Sequence, residues 1–108
     1  MITKQGSKGF KALIDGVRMK PLVWEAKTLL CEFHMEGGYG LPSHSHIYEQ
    51  AGYLISGKLK FRIDNEWHDV VPGDSWCVPE NVEHEVRVIE DSIAIEVFVP
   101  VREEYLPE

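Results

Sequence analysis

Three histidines held in two turn-rich segments constrain this chain more than any other feature. The first segment runs Gly38-Tyr39-Gly40-Leu41-Pro42-Ser43-His44-Ser45-His46-Ile47-Tyr48-Glu49-Gln50 and is closed by Gly57. The second runs Gly73-Asp74-Ser75-Trp76-Cys77-Val78-Pro79-Glu80-Asn81-Val82-Glu83-His84. Neutral imidazoles and amide oxygens are ligands for a divalent transition metal, and three or four of them leave coordination positions open. His44 and His46 are two residues apart, which on a strand aims both side chains at one face. His84 follows a Gly-loop-Pro segment able to turn the chain back toward the same end. The chain therefore reads as a small β protein wrapped around one ion. Read alone, an H-x-H pair is weak, and His84 has the alternative of a hydrogen-bonded core or surface residue.

The rest of the sequence supports an all-β fold, because short β-rich runs are punctuated by Gly, Pro and Asn. Val17 to Trp24 is a first strand, with Pro21 marking an edge or bend. In Lys27 to Met35, Leu29, Cys31, Phe33 and Met35 share one face and Thr28, Leu30, Glu32 and His34 the other. Tyr53 to Ser56 is a strand, Gly57-Lys58 a turn, and in the next strand Leu59, Phe61 and Ile63 share one face, opposite Lys58, Lys60 and Arg62. Trp67 to Val71, Ser75 to Val78, Glu83 to Ile89 and Ile93 to Val99 complete the set, which predicts a sandwich or barrel. The one helical candidate is Gly9 to Asp15. Trp24, Trp67 and Trp76 read as core or subunit-contact aromatics, His34 and His68 as solvent-facing, and Glu83 and Glu85 as rim charges.

At 108 residues the chain is one domain, with a core over about 17–100, an N-terminal extension over 1–16 and a tail over 100–108. Eleven Lys and Arg against eighteen Asp and Glu give a formal charge of −7, which disfavours nucleic acid as a partner. A small anion remains compatible, because a metal and one buried arginine reverse the local field. No apolar run reaches membrane-spanning length and the start has no signal-peptide character, so the expected location is the cytoplasm. Cys31 and Cys77 lack CxxC spacing and are expected as two reduced core thiols, a bridge between them being the alternative.

These two segments resemble the paired motifs of the cupins. Gly38, His44, His46 and Gly57 fit the first motif, and counting six residues back from Gly57 lands on Gln50, where the family usually has glutamate. Glu49 is the competing ligand at that point. Gly73, Pro79 and His84 fit the second motif, with Asn81 where glycine is usual; asparagine also tolerates left-handed backbone. The resemblance spans about residues 36 to 100. It implies a double-stranded β-helix, or jelly-roll barrel, holding one divalent metal (Zn, Ni, Mn, Fe or Cu) through His44, His46, Gln50 and His84. A neutral amide in place of glutamate leaves the site one unit more positive, which strengthens polarisation of a bound anion or carbonyl.

The strand Ile93 to Val99 is apolar on both faces except for Glu96, and a carboxylate there costs several kcal/mol unless it is paired or its pKa rises. The ending from Glu96 to Leu106 is similar to that of small cupins related to an enzyme of pectin and alginate breakdown, which converts ring-form 4,5-unsaturated uronates into linear keto sugars. That resemblance implies that Glu96, Phe98 and Arg102 line the pocket, Glu96 standing where those relatives carry aspartate. Arg102 would take a carboxylate in bidentate fashion, Glu96 would move a proton, and Phe98 would pack on the ring. Alternatives stay open: Arg102 in a salt bridge with Glu103 or Glu104, Glu96 as a structural acid, and the chain as a metal-dependent dioxygenase or a non-catalytic binding protein. Apolar outer strand faces also predict an isologous homodimer.

Overall fold

A computed structural model describes residues 1–107 and shows eight antiparallel strands. They are β1 (Lys11–Ile14), β2 (Val17–Trp24), β3 (Leu29–Met35), β4 (Gly40–His44), β5 (Glu49–Ile63), β6 (Glu66–Val70), β7 (Ser75–Val78) and β8 (His84–Val99). Two long strands organise the barrel. β5 and β8 pair along their whole length, from Glu49 opposite Val99 to Ile63 opposite His84. The tail half of β8 is flanked by β3 and its first half by β4, while β5 carries β7 at its start and β6 at its end. Each long strand thus belongs to both walls of a jelly roll, and the core fills the space between.

The turn expected at Gly57-Lys58 is instead a bend inside one continuous strand. The β5–β8 register slips between Leu54 and Leu59, and Gly57 sits there at φ 97°. The pairing absorbs the bend through bulges, so the two predicted runs fuse, as do Glu83 to Ile89 and Ile93 to Val99 into β8. The helix expected over Gly9 to Asp15 is also corrected, since residues 11–14 form edge strand β1. The only helical turn among the described residues is a 3₁₀ turn at Glu103–Tyr105.

Alternation decides what faces inward. In β3, Leu29, Cys31, Phe33 and Met35 are buried, and in β8 Ala94, Glu96 and Phe98 are buried while Ile93, Ile95 and Val97 are half-exposed. Cys31 lies in the core, but Cys77 points outward and is exposed, which corrects the expectation of two core thiols. His34 is half-buried rather than solvent-facing: it contacts Glu32 at 2.6 Å and lies edge-on to Phe10. His68 is exposed as expected. Among the described residues, no helix is long and apolar enough to cross a membrane.

Candidate metal centre

The three imidazoles meet at one end of the barrel. His44 closes β4 and is the direct cross-strand partner of His84, the first residue of β8. His46 lies beyond the end of β4, so strand alternation does not explain its position. Its loop is held by the second motif instead: the Asn81 N–H donates to the His46 carbonyl across 2.7 Å. Asn81 adopts φ 62°, the left-handed conformation that asparagine tolerates, and this aims its N–H back at the first motif.

Ring centroids are 4.1 Å apart for His44 and His84, 4.8 Å for His46 and His84, and 5.5 Å for His44 and His46. One nitrogen from each ring lies within 4.8 Å of the others. The Nδ1 atoms are engaged by nearby carbonyls: His44 with Pro42 (2.7 Å), His46 with Tyr48 (2.9 Å) and His84 with Val82 (2.9 Å). Those bonds place the proton of a neutral ring on Nδ1 and leave Nε2 as a lone pair. Burial lowers the pKa of His84 to about 4 and also lowers that of His46, which favours neutral rings. Nε2 of His84 is the one buried side-chain polar atom without a hydrogen-bond partner among the described residues. An orphaned lone pair beside two further imidazoles fits a divalent cation, and the donor set suits Zn, Ni, Mn, Fe or Cu.

Gln50, on β5 and buried, brings Oε1 to 3.1 Å from His46 Nε2. Glu49, its competitor in the sequence, is exposed. The Gln50 amide nitrogen donates to Glu96 Oε1 at 2.7 Å, and the Trp76 indole N–H donates to the same oxygen at 2.8 Å. Burial pushes the Glu96 carboxyl up to about 7 against the opposing effect of those two donors and of Arg102. Phe98 is buried beside His46, with centroids 6.2 Å apart.

Arg102 lies just past β8. Its guanidinium sits against three aromatic rings, those of Tyr105 (4.1 Å), Tyr48 (5.1 Å) and Phe98 (5.3 Å). Nε donates to Glu104 at 2.8 Å, and Nη1 and Nη2 have no protein partner among the described residues. The salt bridge and the free fork coexist, because one Nε bond leaves the paired Nη donors available. Tyr48 donates to the other oxygen of Glu104, and Lys11 donates to the carbonyls of Glu104 and Leu106, tying the tail across the barrel mouth.

His44, Gln50, His84, Glu96, Phe98, Arg102 and Tyr105 all line one small cavity of about 30 Å³. A roomier cleft of about 740 Å³ lies elsewhere, beside Arg18, His34 and Ser92, but it is open and gathers none of the triad. Glu83 and Glu85 are rim charges on Arg62, at 3.2 and 3.5 Å, and Arg62 also donates to Ser43 beside His44. Trp67 is an exposed platform under Arg87. Sequence reasoning missed the role of Trp76, which reaches the acid by lying over Gly52. A Cβ on Gly52 would fall 2.3 Å from the indole, and a glycine inside an apolar strand is the signal of such close approach. Nothing in the sequence marked Tyr48 or Tyr105.

Residues 31–100 match the Cupin_2 family, described as a cupin domain. No curated protein matches the chain in sequence. Among solved structures, an RmlC-like cupin from Shewanella frigidimarina superposes with a TM-score of 0.90 at 22% identity, covering 96% of this chain and 95% of that one. KdgF from a Halomonas species gives 0.86 at 23% identity, covering 90% and 92%. A variant of the salicylate 1,2-dioxygenase of Pseudoaminobacter salicylatoxidans gives 0.76 at 11% identity over 80% of this chain and 27% of that one.

Proposed function

Because this chain belongs to the cupin family, we propose that it is a metal-dependent enzyme that isomerises a small sugar acid, with an unsaturated uronate as the substrate class. The observation that carries this reading is one cavity lined by two of the three clustered imidazoles, a buried acid and an arginine whose Nη1 and Nη2 have no partner among the described residues. His44, His46, Gln50 and His84 would hold the ion, which supplies Lewis-acid polarisation of a substrate oxygen when bound.

The protein's own groups divide the remaining work. Arg102 offers Nη1 and Nη2 to a carboxylate, and the surrounding rings desolvate that pair. Glu96 titrates near neutrality, so it can accept a proton and return it. In ring opening, the hydroxyl on the hemiacetal carbon loses its proton and the ring C–O bond breaks, leaving a carbonyl and an enol oxygen. The enol takes a proton at carbon and becomes the ketone, so atoms balance and no redox partner is needed. Phe98 packs against the sugar ring and excludes water.

The test is loss of alkene absorbance from an unsaturated uronate when purified protein is supplied with metal under nitrogen. Turnover with zinc, abolished by Glu96→Gln, is the expected result. A rate no greater than that of the variant rejects the substrate class, and oxygen uptake that requires a redox-active metal selects the dioxygenase reading instead. We also propose a cytoplasmic homodimer through the half-exposed outer faces of β8 and β5, around Ile95, Val97, Tyr53 and Ile55. Sedimentation as a monomer at micromolar concentration would reject the dimer.

A further inference from the structure

We propose that Trp76 and Glu96 form a positioning chain for Gln50, fixing its amide so that oxygen and not nitrogen faces the three imidazoles. This inference rests on the metal-centre reading above and adds a role for the acid besides proton transfer. An amide can turn either edge toward a cation site, and only the oxygen edge ligates. Its orientation is therefore decided by what holds the other edge.

The other edge of Gln50 meets Glu96 Oε1 at 2.7 Å. Trp76 Nε1 can only donate, and it lies 2.8 Å from that same Oε1, which marks the oxygen as an acceptor. When Oε1 carries no proton, a Gln50 oxygen turned toward it would set two acceptors against each other, whereas the NH₂ group completes its second lone pair. The result at the far end is a contact of 3.1 Å between Gln50 Oε1 and His46 Nε2. The Nδ1 proton of His46 is committed to the Tyr48 carbonyl, so this contact brings two lone pairs together. Two donors bound at right angles to one ion, each at about 2.1 Å, stand about 3.0 Å apart. A cation held between them would make that contact favourable.

The backbone is arranged to permit the chain. Glu96, Gly52 and Trp76 are successive cross-strand partners on β8, β5 and β7. The central residue has no side chain, so the indole crosses over it to the acid, and a Cβ there would lie 2.3 Å from the ring. Glu96 Oε2 keeps no hydrogen-bond partner among the described residues and stays available to the cavity.

The test is calorimetric titration with Zn²⁺, with the visible spectrum of the Co²⁺ form as a second readout. Glu96→Leu, which removes the acceptor, should weaken zinc binding by about ten- to a hundredfold, the usual effect of losing a group behind a ligand. Glu96→Gln keeps an oxygen for both donors and should stay within about threefold of wild type, even though turnover is lost. Glu96→Leu combined with Gln50→Ala should bind no more weakly than Gln50→Ala alone, and the Co²⁺ bands of Glu96→Leu should resemble those of Gln50→Ala. Trp76→Phe retains the ring and loses the donor, so it should show a smaller loss in the same direction. Zinc binding by Glu96→Leu at the wild-type level, or additive losses in the double variant, overturns the chain. Should Glu96→Leu not fold, Trp76→Phe and Glu96→Gln decide: wild-type affinity in both overturns it, and a loss confined to Trp76→Phe supports it. Wild-type protein that takes up no zinc overturns the metal centre itself, whereas loss of turnover alone bears only on the isomerase reading.

Discussion

His84 stands directly opposite His44 across the β4–β8 pair, with ring centroids 4.1 Å apart, and its Nε2 is buried without a partner among the described residues. A buried polar atom left unsatisfied costs about 1–3 kcal/mol, so the ligand-free centre is a local weakness of the barrel that a cation would relieve. Thermal unfolding should therefore shift upward on adding Zn²⁺ and return with a chelator. At a hundred times Kd the gain should be about 2.7 kcal/mol. His84→Ala should unfold at the same temperature with and without zinc, and an unchanged shift in that variant would exclude His84 as a ligand.

Arg102 presents a guanidinium fork, without a partner among the described residues, within an aromatic enclosure. A sugar acid such as galacturonate should stabilise the metal-loaded protein against heat, and the corresponding neutral sugar should do so much less. Arg102→Ala should remove the difference between the two, at a cost of about 1.5–3 kcal/mol in binding the acid. Arg102→Lys keeps the charge but not the fork, and should recover only part of it. Equal stabilisation by acid and neutral sugar in wild type would count against a carboxylate-binding arginine.

Metal-free stability should depend on pH through groups of opposite sense, the buried imidazoles of His84 and His46 on one side and Glu96 on the other. His84 titrates at about 4 in the fold and at 6.5 ordinarily, so the unfolded chain binds more protons between those values and acidification removes stability. Glu96 titrates at about 7 against an ordinary 4.5, so its contribution is present at low pH and is lost as pH rises through that window. In wild type the two slopes oppose. Glu96→Gln removes one, and relative to wild type it should lose about 1–3 kcal/mol on acidification from pH 7 to 4.5, read from urea midpoints. A difference independent of pH would refute the raised pKa of Glu96.

The two thiols should behave differently. Cys77 is exposed, whereas burial, reinforced by Glu96, pushes the Cys31 thiol up to about 12. Thiolate is the reactive form, so a disulfide reagent should label one cysteine in native protein and two in denaturant. Rapid labelling of both in the native state would show that the core around Cys31 opens readily.

Gly57 and Gly38 both adopt positive φ, at 97° and 92°, but only Gly57 is crowded. A Cβ there would lie 2.2 Å from Ser92 Oγ and 2.4 Å from the Asp91 carbonyl oxygen, whereas nothing lies within 4 Å at Gly38. Gly38→Ala should cost the backbone strain alone, about 1 kcal/mol, and Gly57→Ala should cost that plus about 1–3 kcal/mol of overlap. Equal denaturant midpoints for the two variants would contradict the bend described in β5.

Periodicity and punctuation in the sequence alone determined the all-β class, the inner face of β3, the exposure of His68 and the motif pattern from Gly38 to His84, whereas β8 is apolar on both faces and its inner side was left open. Those features are local: alternation follows from the pleat, and glycine, proline and asparagine declare where the chain can turn. What lay beyond local reach was decided by long-range pairing. Gly57 looked like a turn because its conformation is a turn's, and only the full-length ladder with β8 makes it a bulge within one strand. His46 looked like the strand-mate of His44, yet it is the Asn81 N–H from another segment that holds its loop. Cys77 alternates like a core residue, but that parity faces outward on β7, where it pairs with Ala51. The joining of Trp76, Glu96 and Gln50 required three strands to align around a residue with no side chain. Sequence spacing sets which side of its own strand a residue occupies; register between distant strands sets what it meets there.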